Sequence, residues 1–70
     1  MQDICTYHVE VVGIVDEIVF NAVGPIMAQA ERIDTVATRL TIKSDQSGLV
    51  GLVRYLHQQG FVLISVSCKQ

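Results

Sequence analysis

The chain has 70 residues, half of them hydrophobic and 17% charged, with a formal net charge of −2 at pH 7. That length makes one small domain, residues 1–70, near the size at which a single core is barely sufficient, and the apolar content excludes a disordered chain. The negative balance supplies no basic footprint for nucleic acid, and no apolar run approaches the ~20 residues that span a membrane.

So short and apolar a chain carries more hydrophobic residues than one core can hide, a first sign of self-association. The opening MQDICTYH lacks the charged and apolar regions of a secretion signal. With only two cysteines, the expectation is a reducing, cytoplasmic compartment.

In chain order, Cys5 to Gly13 alternates Tyr7, Val9 and Val11 with His8, Glu10 and Val12, the period of a half-buried strand. Asp16 is placed to cap a short helix with Val15, Ile18, Val19, Ala22 and Val23 as its apolar side. Gly24-Pro25 then stops it. Ile26 to Ile33 suits helix or strand. A strand is expected, because a helix continuing from Asp16 would pass through an interior proline at a cost of roughly 3 kcal/mol or more. Thr35 to Lys43 is a strand, with Val36, Thr38, Leu40 and Ile42 on one face and Ala37, Arg39, Thr41 and Lys43 on the other.

The stretch Asp45 to Val66 is the clearest in the chain. Asp45 caps a helix whose Leu49, Leu52, Val53 and Leu56 recur at i, i+3, i+4 and i+7, while Gln46, Ser47, Arg54, His57 and Gln58 fall on the wet side. Gly48 and Gly51 inside it suggest close helix packing. Gly60 suits the left-handed position past the helix end, and Phe61 to Val66 follows as a strand.

The order β-α-β-β-α-β, with a right-handed crossover in each half, predicts an α+β ferredoxin-like sandwich. Its four-stranded antiparallel sheet would have strand order 4-1-3-2, with both helices on one face. The first and last strands become neighbours. Pairing Val9 with Ile64, Tyr7 with Val66 and Val11 with Val62 puts all six on the helix side, and sets Cys5 opposite Cys68 with Cα atoms within about 7 Å.

The opposite face of the sheet then carries the candidate site. Its polar centre is His8, Glu10, Arg39 and Ser65, beside an apolar patch of Val12, Phe61 and Leu63, all candidates for a ligand or an interface. This face, or the strand from Ile26 to Ile33, is expected to pack on a second copy, with a dimer favoured. Charges at His8, Glu10 and Arg39 also suit simple cross-strand pairing. Cys5 and Cys68 form a candidate thiol pair, with two small, partly buried apolar side chains as the favoured reading. No metal-ligand spacing joins His8 and His57, and no glycine-rich loop fits a phosphate, so neither metal nor cofactor is expected. Tyr55 and Phe61 have too few basic neighbours for an RNA-binding pattern.

Gly13 to Asn21, GIVDEIVFN, resembles the strand-to-helix loop of acylphosphatases, G-x-V-Q-G-V-x-F-R, at Gly13, Val15, Ile18 and Phe20. Asp16 and Glu17 replace that family's glutamine and second glycine, and Asn21 its phosphate-binding arginine. The resemblance implies the fold and argues against the activity. Heavy-metal-binding domains of the same fold carry C-x-x-C on this loop, and no such pair is present. Asp45, Gln46, Leu49, Gly51, Leu52, Leu56, Gly60, Leu63, Ser65 and Val66 resemble the C-terminal pattern D-Q-x-x-L-x-G-L-x-x-x-L-x-x-x-G-x-x-L-x-S-V of small, uncharacterised bacterial proteins. That resemblance implies a stand-alone ferredoxin-like domain and no particular activity. The topology is also similar to ACT regulatory domains.

Three functional expectations follow. The first is a non-enzymatic interaction module acting as a homo-oligomer. The second is an ACT-like domain binding a small molecule, and the third is a small enzyme using His8 on the open face, which would need a concave pocket.

Overall fold

A computed structural model describes residues 4–69. The elements run β1 (Cys5–Val12), α1 (Glu17–Val23), β2 (Gln29–Asp34), β3 (Ala37–Ser44), α2 (Gln46–Gln58) and β4 (Val62–Lys69). They form a four-stranded antiparallel sheet ordered β2-β3-β1-β4, the expected ferredoxin-like order read from its other edge.

The core lies between the centre of the sheet and α2. Alternation along β1 buries Cys5, Tyr7, Val9 and Val11, and along β3 it buries Thr38, Leu40, Ile42 and Ser44. Leu52 and Leu56 descend from α2 into the same cluster, flanked by half-buried Leu49 and Tyr55. The ends of α2 form as their residues require. Asp45 Oδ1 accepts from the Gly48 amide at 2.9 Å. At the far end the Gly60 and Phe61 amides donate to the His57 and Leu56 carbonyls at 3.1 and 3.0 Å, and Gly60 takes φ +88°. That paired closure satisfies two carbonyls the helix would otherwise leave free.

Two strand boundaries differ from expectation. β2 begins at Gln29 rather than Ile26, because the Asn21 side chain captures both backbone groups of Ala28. Its Oδ1 accepts from the Ala28 amide at 2.9 Å and its Nδ2 donates to the Ala28 carbonyl at 3.0 Å. β3 begins at Ala37, since Thr35 and Val36 make the turn, which Asp34 Oδ1 holds by accepting from the Thr35 amide.

Helix α1 corrects the sequence reading more sharply. Asp16 caps it, accepting from the Ile18 and Val19 amides. Yet Ile18 is 82% exposed, Val23 is 67% exposed, and Val19 and Ala22 are also out in solvent. Of the expected apolar side only Val15 packs on the core. The inward stripe is Glu17, Phe20, Asn21 and Gly24, again at i, i+3, i+4 and i+7. Phe20 is 5% exposed and meets Tyr55 edge-on at a centroid distance of 5.6 Å. Glu17 Oε1 accepts from the Ala30 amide at 2.7 Å, and Asn21 holds Ala28. One large aromatic ring and three tethers to the chain entering β2 set the rotation of this seven-residue helix against its apolar periodicity.

The register of β4 is also corrected. Tyr7 faces Cys68 and Val9 faces Val66, two residues along from expectation, and beyond a bulge at Glu10/Val11 the pairs are Val11 with Leu63 and Val12 with Val62. Phe61 is the cause at the near end. Its ring closes over Gly13 and packs on the core instead of opening the strand. The bulge absorbs one further residue. Cys5 and Cys68 thus sit diagonally rather than directly opposite, with Cα atoms 6.1 Å apart, joined by a disulfide.

The loop from β1 to α1 is held by buried Thr38, whose hydroxyl donates to the Gly13 carbonyl at 2.7 Å and accepts from the Val15 amide at 3.2 Å. Gly13 has φ +128°, and a β-carbon there would lie 2.7 Å from the Phe61 ring. Gly48 is close-packed, since a β-carbon would overlap Ser44 Oγ, whereas nothing lies within 4 Å of one at Gly51. The expectation of close packing therefore holds for Gly48 and fails for Gly51.

Two outcomes are expected in urea unfolding. Gly13→Ala lowers the midpoint by the equivalent of roughly 1–3 kcal/mol, while Gly51→Ala raises it by roughly 0.5–1 kcal/mol through helix propensity alone. Reducing the disulfide, whose cysteines are 63 residues apart, costs about 4 kcal/mol on the chain-entropy scale, seen as a lower midpoint in dithiothreitol.

Candidate functional site

The face of the sheet away from the helices is built in cross-strand rows. One row runs Glu31, Arg39, Glu10 and Ser65 across β2, β3, β1 and β4, and the next runs Gln29, Thr41, His8 and Ser67. Arg39 is the hub of the first. Its Nε and one terminal nitrogen both donate to Glu10 Oε2 at 3.1 Å, and its other terminal nitrogen reaches Glu31 Oε1 at 3.4 Å. In the second row His8 Nδ1 and Thr41 Oγ1 share a hydrogen bond of 3.2 Å.

His8, Glu10, Arg39 and Ser65 are therefore brought together as expected of one face, but in fixed rows. The guanidinium lies between two carboxylates, and the imidazole is engaged by a neighbouring hydroxyl. A hollow of about 280 Å3 opens among His8, Glu10, Arg39, Ser67 and Lys69. It is shallow, and its Arg39 and Glu10 are already paired with each other.

The apolar half of the expected patch does not assemble. Val12 is on this face, exposed and opposite Val62. Phe61 instead packs against the core at Gly13, and the shifted register carries Leu63 to a position opposite buried Val11, on the helix side. The first displacement follows from Phe61 not being part of the strand, and the second from the one-residue bulge at Glu10/Val11.

Three contributors escaped the sequence reading as site residues. Glu31 was hidden by the uncertain start of β2, although an acid opposite Arg39 becomes obvious once the strand is placed. Ser67 and Lys69 follow from simple alternation beyond Ser65.

A second concavity, of about 760 Å3, lies between α2 and β4, with Val53, Leu56, Phe61 and Leu63 among its apolar walls and Arg54 and His57 among its polar ones. It exists because α2 covers β1 and β3 and leaves the helix side of β4 open. Every residue of β4 is exposed, including Val62, Leu63, Ile64 and Val66.

Among the described residues no group of three or more His, Cys, Asp or Glu side chains is arranged to hold a metal ion, and no helix is long and apolar enough to cross a membrane. Compared with protein-family models, curated proteins and solved structures, the chain matches none.

Arg39 is 38% exposed and its Glu31 partner more so, so solvent screens the triad. Arg39→Met is expected to lower stability by no more than about 1 kcal/mol. The difference should shrink in 1 M salt, measured by parallel urea titrations.

Proposed function

We propose that this chain is a non-enzymatic interaction module that works as a homodimer. The observation carrying this reading is the distribution of apolar surface. Among the described residues fourteen large hydrophobic side chains are exposed, against eleven hydrophobic residues in the core. Scattered exposed hydrophobics are ordinary. Here, however, seven of the fourteen fall in two groups, the outward side of α1 (Ile18, Val19, Val23) and the length of β4 (Val62, Leu63, Ile64, Val66). Contiguous apolar surface of this kind marks sites of association, and a small domain gains most from a shared core.

The same reading places the protein in the cytoplasm, where protein thiols are held largely reduced. The Cys5–Cys68 bond would then belong to an oxidised form, and the reduced chain would stand on α2 and the sheet alone. A second reading, an ACT-like domain binding a small molecule, is favoured by the α2–β4 concavity, which is apolar with Arg54 and His57 beside it.

Light scattering at tens of micromolar separates the two. Self-association gives a particle of twice the 7.7 kDa chain mass. A 7.7 kDa particle at that concentration overturns it. The binder reading instead expects the melting temperature to rise by several degrees with a small carboxylate-bearing, apolar metabolite.

A further inference from the structure

We infer that the dimer forms through the free edge of β4, each copy adding its β4 antiparallel to the other's across a two-fold axis to make one eight-stranded sheet. This rests on the self-association proposed above and names its surface, which is neither the open face nor β2.

The two edges of the sheet are unlike. β2 reads QAERID, a six-residue strand with charges at Glu31, Arg32 and Asp34. Charged side chains along an edge are how proteins keep free backbone groups from pairing with another chain. β4 reads VLISVSCK, eight residues with no charge before the terminal Lys69 and no proline. Its outward amides and carbonyls have no strand beside them, since β4 pairs with β1 alone. The one guarding device on it, the bulge, lies near its start with Ile64 as the extra residue, and leaves Ser65 to Lys69 regular.

A second copy fits this edge better than a foreign strand because the edge is complementary to itself. Val66 lies in the regular segment, opposite Val9, and a two-fold axis there pairs residues that point to the same face. On the helix side Val66 meets Val66 of the other copy, so the Val9–Val66 row continues into the identical row across the axis. On the open face Ser65 meets Ser67, joining the Glu31-Arg39-Glu10-Ser65 row to the Ser67-His8-Thr41-Gln29 row of the other copy. The two Lys69 side chains are carried to opposite ends, so no like charges meet.

The size is adequate. Eight residues of strand extend about 27 Å, and the two shorter axes of the molecule measure 22 and 18 Å. The β4 wall is thus on the order of 500 Å2 before side chains corrugate it, close to the lower bound of about 600 Å2 per partner for a specific dimer. The α2–β4 concavity adds to it. Val50, Val53, Arg54 and His57 recur at i, i+3, i+4 and i+7, and Val53, Arg54 and His57 line that concavity. The pairing would therefore bring the α2 helices of both copies alongside, closing the concavity over the paired strands.

The test uses the full chain and three variants. Val66→Lys sets two ammonium groups against each other on the axis and should weaken dimerisation by roughly tenfold or more, with the circular dichroism spectrum unchanged. Val66→Glu should do the same, and an equimolar mixture of the two should recover a dimer. Ile18→Asp, on the outward side of α1, should remain dimeric. If Ile18→Asp dissociates while Val66→Lys does not, the β4 interface is overturned and self-association stands. A monomeric unaltered chain overturns both. Should the Val66 variants fail to fold, hydrogen exchange on the unaltered chain decides. Protection of β4 amides that grows with concentration supports the inference, and protection independent of concentration overturns it.

Discussion

The structure depends on the contact between α2 and the middle of the sheet. Leu52 and Leu56 are withdrawn from water against Val9, Val11, Leu40 and Ile42, and each such side chain contributes about 1.5–3 kcal/mol when fully buried. No other element could replace it. Helix α1 has seven residues and buries one of them, β2 is mostly exposed, and β4 is exposed throughout. With a single helix supplying the cover, the apolar core ends where that helix ends. The sheet is wider than its cover, and the uncovered strand is the least polar of its two edges.

The rest of the scaffold is tied to this centre by polar contacts more than by packing. Thr38 holds the β1–α1 loop through its hydroxyl, and Glu17 and Asn21 hold the start of β2 through the Ala30 and Ala28 backbone groups. Net hydrogen bonds of this kind are worth about 1 kcal/mol each, enough to choose the rotation of a two-turn helix whose apolar side chains have little to pack against. The consequence is an inverted helix, with Ile18, Val19 and Val23 facing water. On the far side of the sheet the same economy appears. Arg39 stitches β1, β3 and β2 through Glu10 and Glu31, and His8 leans on Thr41. Groups arranged this way satisfy one another and rigidify the sheet.

How much of this could be read from the residues depended on whether the signal was local. Asp45, the leucine spacing of α2 and Gly60 specify their helix through bonds within a few residues, and all three act as expected. Alternation in β1 and β3 identified both buried faces and brought His8, Glu10 and Arg39 onto one surface, and alternation in β4 added Ser65. The rotation of α1 was not legible, because an apolar stripe at helical spacing reports amphipathicity and says nothing of which side a competing ring and amide tethers will turn inward. Nor was the β4 register. It shifted because Phe61 found a place over Gly13, a contact between residues 48 positions apart, and the one-residue bulge beside Val11 carries Leu63 to the other face.

The chain's own pattern determined the element order, the ferredoxin-like arrangement that follows from right-handed crossovers, and the core of β1, β3 and α2. Each rests on capping, periodicity or chain connectivity, which are properties of neighbouring residues. Tertiary structure alone decided which side of α1 is wet, how β4 lies on β1, that Cys5 and Cys68 meet on the diagonal, and that β4 is the uncovered edge. Those outcomes are settled by competition among distant groups for the limited area under one helix, and no local pattern records who wins.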